Sequence, residues 1–160
     1  MRKALLFLLF AHFAIVVVAA ANETSDQSFD RYQGDWLGVE RMHATKECTF
    51  TPGKFDVRYR IQVAADGNFV ATRYKPSGEQ ETNVSLRGSI SPGGDVRFTH
   101  DTTVVCNGVS QQMSYPGFGT LTQTRDGPAL KLLSKEDRCL GVCVFRVERT
   151  LRLASAVPGS

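Results

Sequence analysis

Between Lys54 and Ala64 polar and apolar residues alternate without a break. Phe55, Val57, Tyr59, Ile61 and Val63 fall on one face, and Asp56, Arg58, Arg60 and Gln62 on the other. A period of two belongs to a strand with one buried and one wetted face; on a helix the same residues would be spread around the whole circumference. Asp66-Gly67 follows, a dipeptide that tolerates the positive φ angles of a tight hairpin turn, and Asn68 to Lys75 makes the return strand. The chain therefore holds a hairpin with one strongly apolar face, and the other segments must cover it.

Those segments are themselves short and strand-like. No stretch after Tyr32 carries a long apolar stripe of helical period, and β-branched and aromatic residues dominate. Further strands are expected at about Asp35 to His43, Glu81 to Ile90, Asp95 to Asp101, Gly117 to Arg125, Ala129 to Ser134 and Cys143 to Leu153. Pro76-Ser77-Gly78, Ser91-Pro92-Gly93-Gly94 and Asp126-Gly127-Pro128 supply turns between them. The expected fold is all-β, an eight-stranded antiparallel up-and-down β-barrel spanning 32–153. An even count lets the last strand run antiparallel to the first and close the sheet, which removes its exposed edges. A ninth strand inside Thr102 to Pro116 would break that parity.

Strand direction sorts the connections. The turns at Asp66-Gly67, Ser91 to Gly94 and Asp126-Gly127 fall at one end. The longer connections, His43 to Gly53, Lys75 to Gln80, Thr102 to Pro116 and Lys135 to Val142, fall at the other. A tight base and an open mouth are expected, with Asn107-Gly108 as a turn within one long loop and Tyr115 to Gly119 as a rigid hinge into the sixth strand.

The residues before the barrel read as an export leader. Arg2 and Lys3 precede an apolar run, Ala4 to Ala20, broken only by His12, and Ala19-Ala20-Ala21 offers small residues for cleavage. A membrane anchor is the other reading of a run near the ~20 residues a span requires. The run ends in small residues with no basic flank, which fits cleavage after Ala21. The expected division is 1–21 signal peptide, 22–31 flexible arm, 32–153 barrel and 154–160 disordered tail, in a secreted or periplasmic protein without a membrane anchor after cleavage. Losing the leader removes Arg2 and Lys3 and no acid, so 19 basic and 16 acidic residues (net +3) become 17 and 16 (net +1). A near-neutral surface argues against nucleic acid as a partner.

Cys48, Cys106, Cys139 and Cys143 form an even set in an oxidising compartment and read as two disulfides stapling the long-loop end. Three pairings are possible. Barrel closure favours Cys48 with Cys143 and Cys106 with Cys139 over Cys48 with Cys106 and Cys139 with Cys143.

Gly34-Asp35-Trp36 is a G-x-W motif at the start of the first strand, and Phe145, Val147, Arg149 and Leu151 alternate on the last. This resembles the calycin superfamily, the lipocalins, avidins and their small bacterial relatives. The resemblance implies a barrel whose Trp36 closes the base, with Arg149 packed over it in a cation–π contact. The T-D-Y-type element of lipocalins and the biotin-site residues of avidins find no counterparts, so the resemblance carries architecture and no particular ligand.

Catalytic patterns are weak. There is no G-x-S-x-G elbow. Ser110 or Ser114 with His100 and Asp101 can be assembled into a triad only on paper. With His43 and His100 the only histidines after the leader, no metal or cofactor is expected. Cys139 to Cys143 is a C-x3-C spacing that reads as disulfide chemistry. Glu40 shares the phase of Trp36 and, if turned inward, needs a cation such as Arg149. Asn22 and Asn83 each begin an N-x-S/T sequon. The expected function is non-enzymatic: binding of a small apolar or amphipathic ligand inside the barrel, lined by Tyr59, Phe69 and Phe98 with His100 and Tyr115 near the mouth. The alternative is a partner-binding module such as a protease inhibitor, presenting the arm or the loop Thr102 to Pro116.

Overall fold

In the computed structural model each strand hydrogen-bonds to the next, and the last to the first. The structure describes residues 28–44, 53–138 and 143–154. Among them β1 (Gly34–Ala44), β2 (Gly53–Val63), β3 (Asn68–Tyr74), β4 (Gln80–Ile90), β5 (Asp95–Cys106), β6 (Val109–Thr124), β7 (Gly127–Arg138) and β8 (Cys143–Leu153) form one closed antiparallel barrel. The fold class and the up-and-down order are those expected from alternation. The leader, the first residues of the arm, the tail after Ala154, Cys48 and Cys139 lie outside the described residues, as do the expected disulfide pairings. Cys106 and Cys143 stand at the ends of β5 and β8 on the long-loop side, and neither is a free thiol.

Alternation decides which side chains fill the barrel. Trp36, Val57, Tyr59, Ile61, Val63, Phe69, Ala71, Leu86, Ile90, Val96, Phe98, Leu121, Leu130, Leu132 and Leu151 form one buried cluster. Inward glycines let strands press together where a side chain would not fit: a Cβ on Gly38 would lie 1.9 Å from the Thr150 carbonyl oxygen. At the base, Ser28 caps a single 3₁₀ turn, Phe29–Tyr32. The end of the expected flexible arm is thus a plug. Phe29 is buried, its ring lies under Gly67, and the Trp36 Nε1–H donates to the Tyr32 carbonyl at 3.0 Å.

Three expectations about the connections are corrected. Thr102 to Pro116 is not a long loop: β5 runs on to Cys106, β6 begins at Val109, and Cys106 pairs with Val109 around Asn107-Gly108. Both turn residues have positive φ, 53° and 78°, as an Asn-Gly hairpin turn requires. The extra strand residues lengthen two existing strands, so the count stays even. Tyr115 to Gly119 likewise lies inside β6 and is no hinge. β7 also continues past Ser134 to Arg138.

The long hairpin outgrows its neighbours. β4 pairs with β5 only up to Val84 with Thr102, and β7 pairs with β6 only from Ser134 with Gly117. Pro116, which lacks an N–H to give, sits where the β6–β7 ladder stops. Beyond Thr102, Thr103 to Cys106 pair with Val109 to Gln112.

Candidate functional site

The barrel places a charged cluster across its middle. β1 and β8 are registered so that Glu40 faces Arg149, and Trp36 faces Leu153. The expectation that Arg149 packs over Trp36 is corrected by this register: the two stand four strand positions apart along the seam, roughly 13 Å at the rise of a strand. Arg149 Nε instead donates to Glu40 Oε2 at 2.7 Å, the ion pair that an inward Glu40 calls for. Its Nη1 donates to Ser134 Oγ at 3.1 Å and its Nη2 to Glu136 Oε1 at 3.0 Å. Arg73 extends the chain of charges outward, 3.4 Å from Glu40 and 3.6 Å from Glu81.

Glu136 is the anionic hub. Its Oε1 accepts from Arg149, from Ser134 Oγ at 3.0 Å and from His100 Nδ1 at 2.7 Å. Burial by itself would raise this carboxyl's pKa. The hydrogen bond and charge of His100, together with Arg149, more than offset it and hold Glu136 well below the usual carboxylate range. With Nδ1–H donating to Glu136, the other ring nitrogen of His100 points into the interior. That Nε2 and the Tyr59 hydroxyl are buried with no hydrogen-bond partner. Burial raises the Tyr59 pKa, against the opposing charge of Arg149.

The five residues expected to line a ligand all point inward. Tyr59, Phe69, Phe98, His100 and Tyr115 are each buried. The structure packs them against protein: Phe98 lies where a Cβ on Gly117 would sit, Tyr115 donates to the Asp137 carbonyl at 2.6 Å, and His100 belongs to the charged cluster. The paper triad does not assemble. Asp101 takes Ser114 Oγ at 2.6 Å and Arg87 Nε at 2.7 Å on the outer wall, whereas His100, one residue earlier, faces in. Successive residues of a strand point to opposite faces, so adjacency in sequence separated them.

Two features escaped the sequence reading. Ser134 and Glu136 continue the inward phase of Leu130 and Leu132, and an acid on an apolar phase was the available signal. The second is apolar exposure. Val105 (65% exposed) and Val109 (59%) stand at the tip of the β5–β6 hairpin, and Phe118 (58%) on the wall below it. Asn107-Gly108 between strand-forming valines marked that hairpin. Among the described residues no group of three or more His, Cys, Asp or Glu is placed to hold a metal ion.

No protein-family model matches this chain, and no curated protein matches it. Among solved structures, the crystal structure of a protein of unknown function from Bacteroides ovatus, at 2.40 Å resolution, aligns with a TM-score of 0.48 and 17% identity, covering 78% of this chain and 42% of that one. The chain thus spans less than half the length of the structure it matches. The closed eight-stranded barrel is compatible with a calycin-like architecture.

Proposed function

We propose that this protein is an exported, non-enzymatic β-barrel that works as a partner-binding module, with the β5–β6 hairpin as the element it presents. The supporting observation is the hairpin tip. Val105 and Val109 are the two most exposed large apolar side chains described, and they sit on opposite faces of a ribbon that extends about 13 Å beyond the last β4 pairing. A tip that is apolar on both faces suits insertion into a cleft. A hairpin held by its own ladder binds with little loss of conformational entropy. A protease inhibitor is the class of module this describes. In the expected oxidising compartment, disulfides through Cys106 and Cys143 would stiffen the same rim, by about 2–4 kcal/mol each.

A second reading has its own observation. The Tyr59 hydroxyl and His100 Nε2 are buried polar atoms without a hydrogen-bond partner inside the barrel, and such atoms are seldom left so. A small hydrogen-bonding guest would satisfy them. Of the apolar or amphipathic ligands expected, only the amphipathic kind would do so.

Native mass spectrometry on protein isolated from its own host separates the two. A bound polypeptide that disappears in the Val105→Ser/Val109→Ser variant supports the module. A small mass lost on denaturation and indifferent to that variant transfers the function to the interior. A bare chain that also fails to inhibit a panel of serine, cysteine and metalloproteases overturns the module.

A further inference from the structure

The outer wall of β6, β7 and β8 carries an ordered pattern of rows. Ladder register puts Phe118 beside Leu133, and Leu133 beside Glu148. Two positions toward the base, Thr120 neighbours Lys131, and Lys131 neighbours Thr150. Two positions toward the mouth, Lys135 neighbours Arg146, and Arg146 neighbours His43 across the seam. The apolar pair Phe118 and Leu133, with Arg97 and Glu148 on its two sides, is thus bounded below by Lys131 and above by Lys135 and Arg146. Two adjoining grooves, about 320 and 440 Å³, share Phe118, Leu133 and Arg146 as walls. The upper one reaches Pro116, at the root of the projecting hairpin.

Several basic side chains on other walls are paired, whereas Lys54 and Arg125, like Arg97 beside Phe118, have no ion-pair partner among the described residues. Arg58 and Arg60 are held by Asp35, Arg87 by Asp101, Lys75 by Glu79 and Arg152 by Asp126. On the groove, Arg146 is paired with Glu148 at 2.9 Å, and neither Lys131 nor Lys135 has an ion-pair partner among the described residues. Two lysines without an ion-pair partner among the described residues flank a half-open aromatic surface.

We propose that this wall docks an extended acidic segment of the protein partner, in the pattern acid–x–apolar–x–acid. This rests on the partner-binding reading and names the chemistry of the partner. The apolar residue covers Phe118 and Leu133. The two acids meet Lys131 on one side and Lys135 on the other. Rows two residues apart along a strand are about 6.6 Å apart, and an extended peptide presents alternate side chains on one face at the same spacing. Because the upper groove runs to Pro116, a partner engaged by the hairpin tip lays this segment along the wall below it.

The test uses a phage-displayed library of random dodecapeptides selected on the immobilised mature protein. Enriched peptides are then measured on wild type, Phe118→Ser, Lys131→Glu/Lys135→Glu and Val105→Ser/Val109→Ser. All five side chains lie on the surface or rim, and circular dichroism and melting curves confirm that each variant folds. The expected result is enrichment of acid–x–apolar–x–acid peptides whose affinity falls about tenfold or more on both groove variants, as loss of an aromatic anchor does, and is unchanged on the hairpin variant. The proposal is overturned if no peptide is enriched, if the enriched peptides lack acids, or if both groove variants bind them as wild type does. Peptides lost only on the hairpin variant would uphold the module and sink the groove. Peptides lost only on the groove variants uphold the groove whatever becomes of the hairpin. Binding of anionic phosphatidylglycerol vesicles that the same groove variants abolish, without peptide enrichment, would make the occupant a membrane and overturn the proposal.

Discussion

Arg149 and Glu40 face each other across the seam that closes the barrel, Nε to Oε2 at 2.7 Å, both buried. They are 109 residues apart in sequence, so the contact exists only when the last strand has found the first. Arg149→Met leaves both Glu40 and Glu136 without this cation and is expected to cost about 3–5 kcal/mol. Adding Glu40→Gln to that variant should cost less than the sum of the two single changes, because the partners are coupled. Urea titrations of the four proteins measure this, and strict additivity would deny the pair.

Acid should act through Glu136. Its folded-state pKa lies below the ordinary carboxylate range, so the folded state binds fewer protons than the unfolded one. The stability it contributes is present above the unfolded value, about 4.3, and is lost as pH falls from there toward the folded value. Glu136→Gln should be less stable than wild type at pH 7, and the gap should narrow between pH 5 and pH 3. Asp35 and Asp101, also lowered, are unchanged in the variant and cancel in the comparison. Parallel stability curves would show that Glu136 is not linked to acid unfolding.

The single tryptophan reports on the basal plug. Trp36 is 1% exposed and hydrogen-bonded to the Tyr32 carbonyl, and Phe29 seals the turn beneath. Wild type should fluoresce at a short wavelength. Phe29→Ala should shift the emission to the red and cost about 2–4 kcal/mol. An unchanged spectrum would mean that the turn does not shield the indole.

Two glycines should behave oppositely. Gly38→Ala would drive a Cβ to 1.9 Å from the Thr150 oxygen and 2.8 Å from the Leu151 Cα, both backbone atoms of the closing strand. It should destabilise by more than about 3 kcal/mol. Gly78→Ala meets nothing within 4 Å and carries only the penalty of a φ of +86°, of order 1 kcal/mol. Thermal melts of the two variants check the contrast.

Much of this protein is written locally. Alternation from Val57 to Val63 set the buried face of β2, with Phe55 before it left exposed; Asp66-Gly67 set its hairpin, and parity of short segments set a closed sheet. Each of these is decided by neighbours within a few residues. The hairpin Asn107-Gly108 was equally local, but Ser110, Gln111 and Gln112 dilute the apolar alternation there, and the strands around it read as loop. The inward direction of Tyr59, Phe69, Phe98, His100 and Tyr115 followed from phase alone.

What phase does not contain is stagger between strands, and stagger decided the rest. It set Arg149 against Glu40 rather than Trp36, brought His100 and Arg149 to one carboxylate oxygen of Glu136, and set Phe118 beside Leu133 on the outer wall. Which way a residue points is a local consequence of the strand, and the sequence determined it. Which residues meet depends on how far eight strands slide past one another before the barrel closes, and only the tertiary structure could decide that.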